Sequence, residues 1–311
     1  MAIVRTDIPM TSQLCEETIR KLLEAYPFLE SETLTTTAFG RPVQTLTIGE
    51  GDREVLFSAS HHANEWITTP VLLKFAEDLA QAIREGGTLY GVPARTISRN
   101  VTIHLVPMVD PDGVDLVTGA VQPESIEYET SRGIAAGFPD IPFPEGWKAN
   151  LLGVDLNLQY PAGWLRAREI KFSQGFTKPA PRDYVGRAPL SQRESIALAQ
   201  YTEDVDPDLV LAYHTQGKVI YWQFEDYAIP GARALAEEFA RVSGYALEDT
   251  PYQSAYAGYK DWFIQTFRRP GFTIEAGSGE NPLPLSQFDE IYRDNLGLLV
   301  TAALGLPGEN G

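Results

Sequence analysis

Two histidines and a glutamate stand together in residues 58–68, at the point where an apolar run gives way to an amphipathic helix. His62 and Glu65 are three residues apart at this junction. If the junction begins as a helical turn, both side chains can point at one ion. Imidazole and carboxylate form a donor set that suits zinc. Two ligands do not make a site, so a third must come from elsewhere in the chain.

The carboxyl ends of other predicted strands supply that third ligand. His214 and Glu275 each end a short apolar segment. In an open α/β sheet, ligands gather at the carboxyl ends of the strands. Because His62 also follows an apolar strand segment, we expect His62, Glu65 and His214 to bind one metal ion. Glu275 is expected beside them.

Three protein ligands leave the fourth position of a tetrahedral zinc ion open. This is typical of catalytic sites, whereas structural sites are closed and usually rich in cysteine. Zinc in such a site lowers the pKa of a bound water to roughly 7 and polarises a carbonyl group. Glu275 is then a candidate general base that takes a proton from the water and hands it to a leaving nitrogen. A His-x-x-Glu pattern also arises by chance, so this hypothesis depends on the strand-end positions of His214 and Glu275.

Strands and helices alternate along the chain, which predicts a single α/β domain with a largely buried sheet. The apolar patterns predict strands over residues 43–48, 54–60, 101–107, 208–214, 219–224 and 271–275. They predict helices over residues 12–26, 71–83, 191–202, 232–242 and 286–304. Residues 110–113 are typical of a turn, and residues 122–149 and 161–188 are typical of irregular loops.

Five single residues have a structural interpretation at this stage. Ser191 and Ser286 are predicted N-caps, with Glu194 as the capping-box partner of Ser191. His104 lies inside a predicted strand, which favours a core histidine with a satisfied hydrogen bond over a metal ligand. Cys15 is predicted to be a buried structural thiol. Because it is the only cysteine, no intramolecular disulfide can form, and the sequence fits a reducing compartment.

The formal net charge of -17 over 311 residues argues against nucleic acid and anionic membranes as partners. The sequence begins without a basic segment followed by an apolar one, and it contains no run of 18 apolar residues. These features predict a cytoplasmic protein that does not cross a membrane. Oligomeric state stays open.

Five short motifs occur in an order that resembles the zinc carboxypeptidase family, over residues 40 to the last helix. They are residues 62–68 (HANEWIT), 110–113 (DPDG), 153–157 (GVDLN), 189–194 (PLSQRE) and 272–275 (FTIE), with His214 before the last. The resemblance implies a single-domain mixed, mostly parallel β-sheet flanked by helices. Residues 1–311 would form one zinc peptidase domain, with residues 1–40 as a helical extension packed on it.

The resemblance also assigns roles within the site. It implies one zinc ion per chain, held by His62, Glu65 and His214, with Glu275 as the general base. Asp155 matches the carboxylate that orients a metal-bound histidine in this family.

Further assignments concern the substrate. Lys148 falls where the family has an arginine that stabilises the developing oxyanion, and it would act as a point charge. Asn157 matches a substrate-binding asparagine. Tyr252 and Tyr256 are equal candidates for the tyrosine that covers the substrate, because the spacing from Tyr252 to residues 261–262 differs by one residue from that in the family.

Two positions depart from carboxypeptidases. Leu158 stands where they have the arginine that binds the substrate's terminal carboxylate, and leucine cannot bind a carboxylate. Lys260 occupies the position that sets side-chain preference, where it suits an anionic group unless its ammonium simply extends into solvent.

A narrower resemblance joins residues 61–70, 214–217 and 258–263 to bacterial γ-D-glutamyl-L-diamino acid endopeptidases. It implies a peptidoglycan-derived peptide as substrate, cut between D-glutamate and meso-diaminopimelate, whose distal carboxylate could pair with Lys260.

Three alternatives remain open. The first is a metallocarboxypeptidase for ordinary peptides, in which Arg166, Arg168 or Arg182 replaces the missing arginine. The second is a zinc deacylase of N-acyl amino acids. The third is a peptide-binding module without activity, which the presence of Glu275 and all three ligands disfavours.

Overall fold

A seven-stranded sheet runs through the centre of the molecule. The computed structural model describes residues 2–306. The strands are β1 (Thr33–Thr36), β2 (Pro42–Gln44), β3 (Leu46–Ile48), β4 (Arg53–Ala59), β5 (Thr88–Leu89), β6 (Val92–Pro93), β7 (Val101–Val106), β8 (Leu209–His214), β9 (Val219–Tyr221), β10 (Ala246–Leu247) and β11 (Gly271–Glu275).

The helices are α1 (Ser12–Ala25), α2 (Thr68–Glu85), α3 (Ala94–Asn100), α4 (Pro111–Val117), α5 (Ile126–Ala135), α6 (Trp164–Ser173), α7 (Arg193–Val205), α8 (Ala232–Ser243), α9 (Tyr259–Phe267) and α10 (Phe288–Leu304). Short 3-10 turns occupy Ala63–Glu65, Leu156–Leu158, Tyr252–Ser254 and Leu285–Gln287. No helix in the described part of the chain combines the length and the apolar character needed to cross a bilayer.

The strand order in the central sheet is β10-β9-β11-β8-β4-β7-β3. The neighbours β10–β9, β11–β8, β8–β4 and β4–β7 are parallel, while β9–β11 and β7–β3 are antiparallel. The prediction of a mixed, mostly parallel sheet flanked by helices is therefore confirmed.

Helices cover both faces of the sheet because the side chains of each inner strand alternate between two apolar layers. In β4, Val55 and Phe57 pack in one layer with α1, α2, α8 and α10, whereas Leu56 packs in the other with α7 and α9. All three side chains are fully buried. Burying each such side chain contributes on the order of 2 kcal/mol to folding.

Three of the predicted irregular segments contain helices. The predicted turn at residues 110–113 begins α4, since the Asp110 carboxylate accepts a hydrogen bond from the Gly113 amide at 3.0 Å and Pro111 occupies the first helical turn. Residues 122–149 contain α5, which Ser125 caps, and residues 161–188 contain α6. These helices have few regularly spaced apolar residues, so the apolar pattern of the sequence does not reveal them.

Both predicted serine caps are wrong. Helix α7 begins at Arg193, and the hydroxyl of Ser191 donates instead to the side chain of Gln159 at 3.0 Å. Glu194 is buried, so it does not act as an exposed capping-box partner. Ser286 lies inside the 3-10 turn that precedes α10.

The prediction for His104 is confirmed. Its imidazole contacts the Glu54 carboxylate at 2.7 Å and the Tyr201 hydroxyl at 2.6 Å. Cys15 is buried as a free thiol, and burial raises the pKa of that thiol to about 12. Neither residue contributes to the site described next.

Candidate active site

Three adjacent parallel strands end at one edge of the sheet and bring the predicted residues together. His62 follows β4 by three residues, His214 ends β8, and Glu275 ends β11. The register pairs Glu275 with His214, and β8 lies between β4 and β11. Because the carboxyl ends of parallel strands share one edge, residues far apart in the sequence meet there.

His62, Glu65 and His214 form a compact group of metal-ligand atoms, all within 4.8 Å of one another. The two Nδ1 atoms of the histidines are 3.1 Å apart. Glu65 lies in the 3-10 turn before α2, and its two carboxylate oxygens lie 3.0 Å from His62 Nδ1 and 2.9 Å from His214 Nδ1. The expected helical turn at this junction is present, and it turns both side chains inward.

Asp155 fixes the orientation of His62. Its Oδ1 lies 3.1 Å from Nε2 of His62, and its Oδ2 accepts from the Asp183 amide at 3.2 Å. A carboxylate that accepts a hydrogen bond from Nε2 keeps the proton on that nitrogen and leaves the lone pair of Nδ1 free for a metal. Burial opposes ionisation of Asp155, but His62 and Lys148 hold the pKa of its carboxyl well below its usual range.

This donor set fits a divalent metal ion. Two imidazole nitrogens and a carboxylate, all buried, face one point. Burial alone would lower the pKa of His62, but the charge of Glu65 raises it to about 9. The group therefore attracts a cation, whether protons or a metal, and zinc suits this combination of ligands.

Lys148 places a positive charge beside the ligands. Its Nζ lies 3.0 Å from Oε1 of Glu65. The main chain is held on both sides, since Lys148 N donates to Pro181 O at 2.8 Å and Ala63 N donates to Lys148 O at 3.0 Å. Burial opposes the ammonium, but Glu65 raises the pKa of Lys148, so the side chain is charged at neutral pH.

Glu275 faces the same cavity. Burial and the nearby charge of Glu65 raise the pKa of its carboxyl to about 8. A divalent cation held by the three ligands would lower that pKa, because it favours the negative form of the neighbouring group. A carboxyl that titrates near neutral pH is suited to accept and return a proton.

The cavity has a volume of about 160 Å³ and extends from the metal ligands to Lys260. Lys260 is only 4% exposed, so its ammonium does not reach into solvent. It donates to the Gln223 carbonyl and forms an ion pair with Asp261 at 2.7 Å. The remaining lining residues are His62, Lys148, Asn157, His214, Tyr221, Thr250, Pro251, Ser254, Gly258, Thr273 and Glu275.

The other predicted substrate-binding residues have different surroundings. Asn157 lines the cavity, accepts from the Tyr259 amide at 3.0 Å and lies 3.4 Å from His214 Nε2, so it also positions that histidine. Tyr252 is half-exposed, with the Arg166 guanidinium 5.7 Å from its ring. Tyr256 packs on Phe224 in the core. Among the described residues that line the cavity, neither tyrosine is present.

His61 is a neighbour that the sequence did not assign. Its ring is fully buried and stacks on His214 with centroids 5.5 Å apart, and its Nε2 lies 3.4 Å from the Tyr160 hydroxyl. It restricts the rotation of the His214 ring. The sequence offers no signal for this role, because the role depends on the direction in which the His61 side chain points.

A family model for zinc carboxypeptidases matches residues 15–297. The chain belongs to the zinc carboxypeptidase family. It is therefore a zinc metallopeptidase by family, and its metal-ligand group has the composition expected for one.

Among its relatives in the zinc carboxypeptidase family is γ-D-glutamyl-L-diamino acid endopeptidase 1 of Lysinibacillus sphaericus. The two are 46% identical over 284 residues, covering 91% of this chain and 69% of that protein. An uncharacterised protein, YqgT, of Bacillus subtilis strain 168 is 36% identical over 286 residues, covering 91% of this chain and 74% of its own.

Solved structures support the fold. Thrombin-activatable fibrinolysis inhibitor superposes with a TM-score of 0.75 at 15% identity, covering 97% of this chain and 76% of that chain. The murein-tripeptide amidase MpaA of Escherichia coli O157 superposes with a TM-score of 0.55 at 19% identity, covering 90% of this chain and 93% of that chain. At these identities the likeness concerns the fold alone.

Proposed function

We propose that this zinc metallopeptidase hydrolyses the bond between the γ-carboxyl of D-glutamate and meso-diaminopimelate in peptidoglycan stem peptides. The observation that carries the proposal is the cavity beside the metal ligands, which contains a buried lysine and lacks the arginine of carboxypeptidases. The identity of 46% to an endopeptidase named for this bond supports the same substrate class.

Leu158 argues against an ordinary carboxypeptidase. The side chain is 7% exposed and packs with Trp164, Ala167 and Val185 in an apolar cluster. It neither faces the cavity nor offers a charge to a terminal carboxylate. Three arginines could have replaced the missing one. Arg166 and Arg168 lie over the rings of Tyr252 and Phe172 instead, and Arg182 is not among the residues that line the cavity.

Lys260 favours substrates that carry an anionic group on the residue after the scissile bond. Its ammonium has three donors. The Gln223 carbonyl and the Asp261 carboxylate occupy two of them. The third can bind the distal carboxylate of diaminopimelate, which an ordinary amino acid lacks. A buried charge–charge hydrogen bond of this kind discriminates strongly between substrates, because its loss leaves a buried charge unpaired.

The residues of the chain divide the reaction between them. When bound, zinc supplies a Lewis acid for the scissile carbonyl and lowers the pKa of water. Glu275 as a carboxylate accepts a proton from the water that attacks the carbonyl carbon. The Lys148 ammonium stabilises the oxyanion that forms. Glu275 then returns the proton to the nitrogen as the C–N bond breaks, which leaves a γ-carboxylate and a free amine.

The test is a mass-spectrometric cleavage assay. The zinc-loaded protein is mixed with L-Ala-γ-D-Glu-meso-diaminopimelate and, separately, with a blocked dipeptide that has a free C-terminus. We expect release of free diaminopimelate, inhibition by a metal chelator and a large loss of product with Glu275→Gln. Cleavage of the dipeptide alone would contradict the proposal and indicate a carboxypeptidase.

A further inference from the structure

Arg182 stands in a short segment that is attached to the site at both neighbouring residues. Before it, Pro181 O accepts from the amides of Lys148 at 2.8 Å and Ala149 at 2.9 Å. After it, the Asp183 amide donates to Asp155 at 3.2 Å. The backbone of Arg182 is therefore fixed between Lys148 and Asp155, which both flank the metal ligands.

The guanidinium is oriented by a carboxylate that is itself held in place. Arg182 Nε donates to Asp183 Oδ2 at 2.6 Å. The other oxygen of Asp183 pairs with Lys171 Nζ at 2.5 Å, and Lys171 is only 5% exposed. Asp183 also adopts a left-handed backbone, with φ of 66°, a conformation that residues with a side chain rarely adopt. Five interactions and a strained backbone thus serve to hold one arginine.

The outer edge of this guanidinium is free. Within residues 2–306, the structure gives no acceptor for the two terminal nitrogens of Arg182, and the side chain is 44% exposed. Arg182 lies near Lys148, since its positive charge opposes part of the rise that Glu65 causes in the pKa of Lys148. Two free, parallel N–H groups on an oriented guanidinium match a carboxylate in a bidentate arrangement.

The position of Arg182 determines which part of a substrate it meets. Arg182 is not among the residues that line the cavity with Lys260. If the leaving residue occupies that cavity, the acyl part of the substrate must extend past Lys148 in another direction. Arg182 lies outside that cavity, and it is a cation next to Lys148, because the Lys148 amide is hydrogen-bonded to Pro181 O. A carboxylate close to the scissile carbonyl on the acyl side would therefore reach it.

We propose that Arg182 binds the free α-carboxylate of the γ-linked D-glutamate and so selects γ-linked over α-linked peptides. This inference rests on the proposed function. In a γ-linkage the α-carboxylate remains free a few bonds from the scissile carbonyl, whereas in an α-linked chain that carboxyl is consumed in the peptide bond. Carboxypeptidases have an arginine at the position of Leu158. Recognition of the α-carboxylate would give this enzyme its specificity for the γ-linked bond without that arginine.

The experiment compares two substrates that differ in one group. L-Ala-γ-D-Glu-meso-diaminopimelate carries the α-carboxylate, and its D-isoglutamine analogue carries a neutral amide of the same shape. Values of kcat/KM for release of diaminopimelate are measured for the zinc-loaded wild type, Arg182→Gln and Arg182→Lys. Arg187→Gln is the matched control, since Arg187 is an exposed arginine five residues along the same segment.

We expect the wild type and Arg187→Gln to prefer the acid by about 10- to 100-fold, the discrimination of one charge-assisted hydrogen-bonded pair. Arg182→Gln should lose this preference, because it should slow cleavage of the acid far more than cleavage of the amide. Arg182→Lys should restore part of it.

Equal cleavage of both substrates by the wild type would overturn the inference and leave the proposed function intact. The same holds if Arg182→Gln keeps the preference, or slows both substrates by one common factor, as a purely structural role would. If the wild type releases diaminopimelate from neither substrate, the proposed function fails, and the role of Arg182 fails with it.

Discussion

In the proposed mechanism, the ionisation of Glu275 sets the acidic limit of activity. A general base must be deprotonated, so kcat/KM should fall as the pH decreases through the pKa of its carboxyl. Burial and Glu65 place that pKa at about 8 in the metal-free protein, and a bound cation moves the limit to lower pH. A pH profile of the zinc-loaded enzyme measures the limit. Activity that rises as the pH decreases from 8 to 5 would contradict this assignment.

Replacement of Glu275 by glutamine should abolish proton transfer at every pH. We expect kcat to fall by roughly 10²- to 10⁴-fold, the usual contribution of a positioned general base. The zinc content, measured by metal analysis, should stay at the wild-type value because Glu275 is not one of the ligand atoms. Loss of zinc in this variant would show that Glu275 contributes to metal binding rather than to proton transfer.

Lys148 should affect the transition state more than substrate binding. With Lys148→Met, the positive charge near the oxyanion is lost, and we expect kcat to fall by about 10²-fold with a small change in KM. Lys148→Arg keeps a charged donor and should retain more activity. Steady-state kinetics on both variants distinguish these outcomes, and an unchanged kcat in Lys148→Met would exclude the role.

The residues of the proposed chemistry could largely be predicted from the sequence, whereas the contacts that position them could be predicted only in part. His62, His214 and Glu275 are detectable because each ends or follows an apolar strand, and strand ends converge. Asp155 and Arg182 were candidates as well, Asp155 through a family motif and Arg182 as a possible carboxylate-binding arginine. His61 offers no such signal, because its effect depends on side-chain direction and on contacts with Tyr160 and His214, which periodicity does not encode.

At the scale of secondary structure, the 3-10 turn Leu156–Leu158 connects the metal group to its supporting segment. Asp155 caps this turn through the Asn157 amide at 3.1 Å while it orients His62. Asp155→Ala should lower zinc affinity about 10- to 100-fold, the usual cost of losing the partner of a metal-bound histidine. Competition with a chromogenic chelator measures the affinity. Asp155→Asn is the matched control, which keeps the size and one acceptor oxygen.

The long helices and inner strands follow from the sequence, whereas the connections between them do not. Helix α2 has a continuous apolar face, so its existence could be predicted. Helices α4 and α5 are stabilised by caps and by an ion-pair network around Arg41, whose guanidinium binds Asp112, Asp115 and Glu127. Ser191 does not cap α7 because its hydroxyl donates a hydrogen bond to the side-chain oxygen of Gln159, 32 residues away. Such long-range partners override local preferences.

At the scale of the whole molecule, buried carboxyls make stability depend on pH. Burial raises the pKa of Glu194 from 4.5 to about 7, so the folded state holds a proton that the unfolded chain releases between these values. Its contribution to stability is complete below about pH 4.5 and is lost as the pH rises through 7. A shift of this size corresponds to at most about 3 kcal/mol.

Glu194→Gln should remove this dependence. In the metal-free protein, we expect the melting temperature of the wild type to decrease more than that of the variant between pH 5 and pH 8, by a few degrees. Thermal unfolding followed by circular dichroism measures the difference. A variant that loses stability in parallel with the wild type over this range would contradict the assignment of a protonated Glu194.

The convergence of three strand ends has a consequence for the cell that makes this protein. His62 and His214 are 152 residues apart, and Glu275 is the last of the group to be translated. A chain still on the ribosome can present both histidines while strand β11 remains inside the exit tunnel. The nascent chain is thus without its proposed proton acceptor until β11 has left the tunnel, and we expect no hydrolysis before that point.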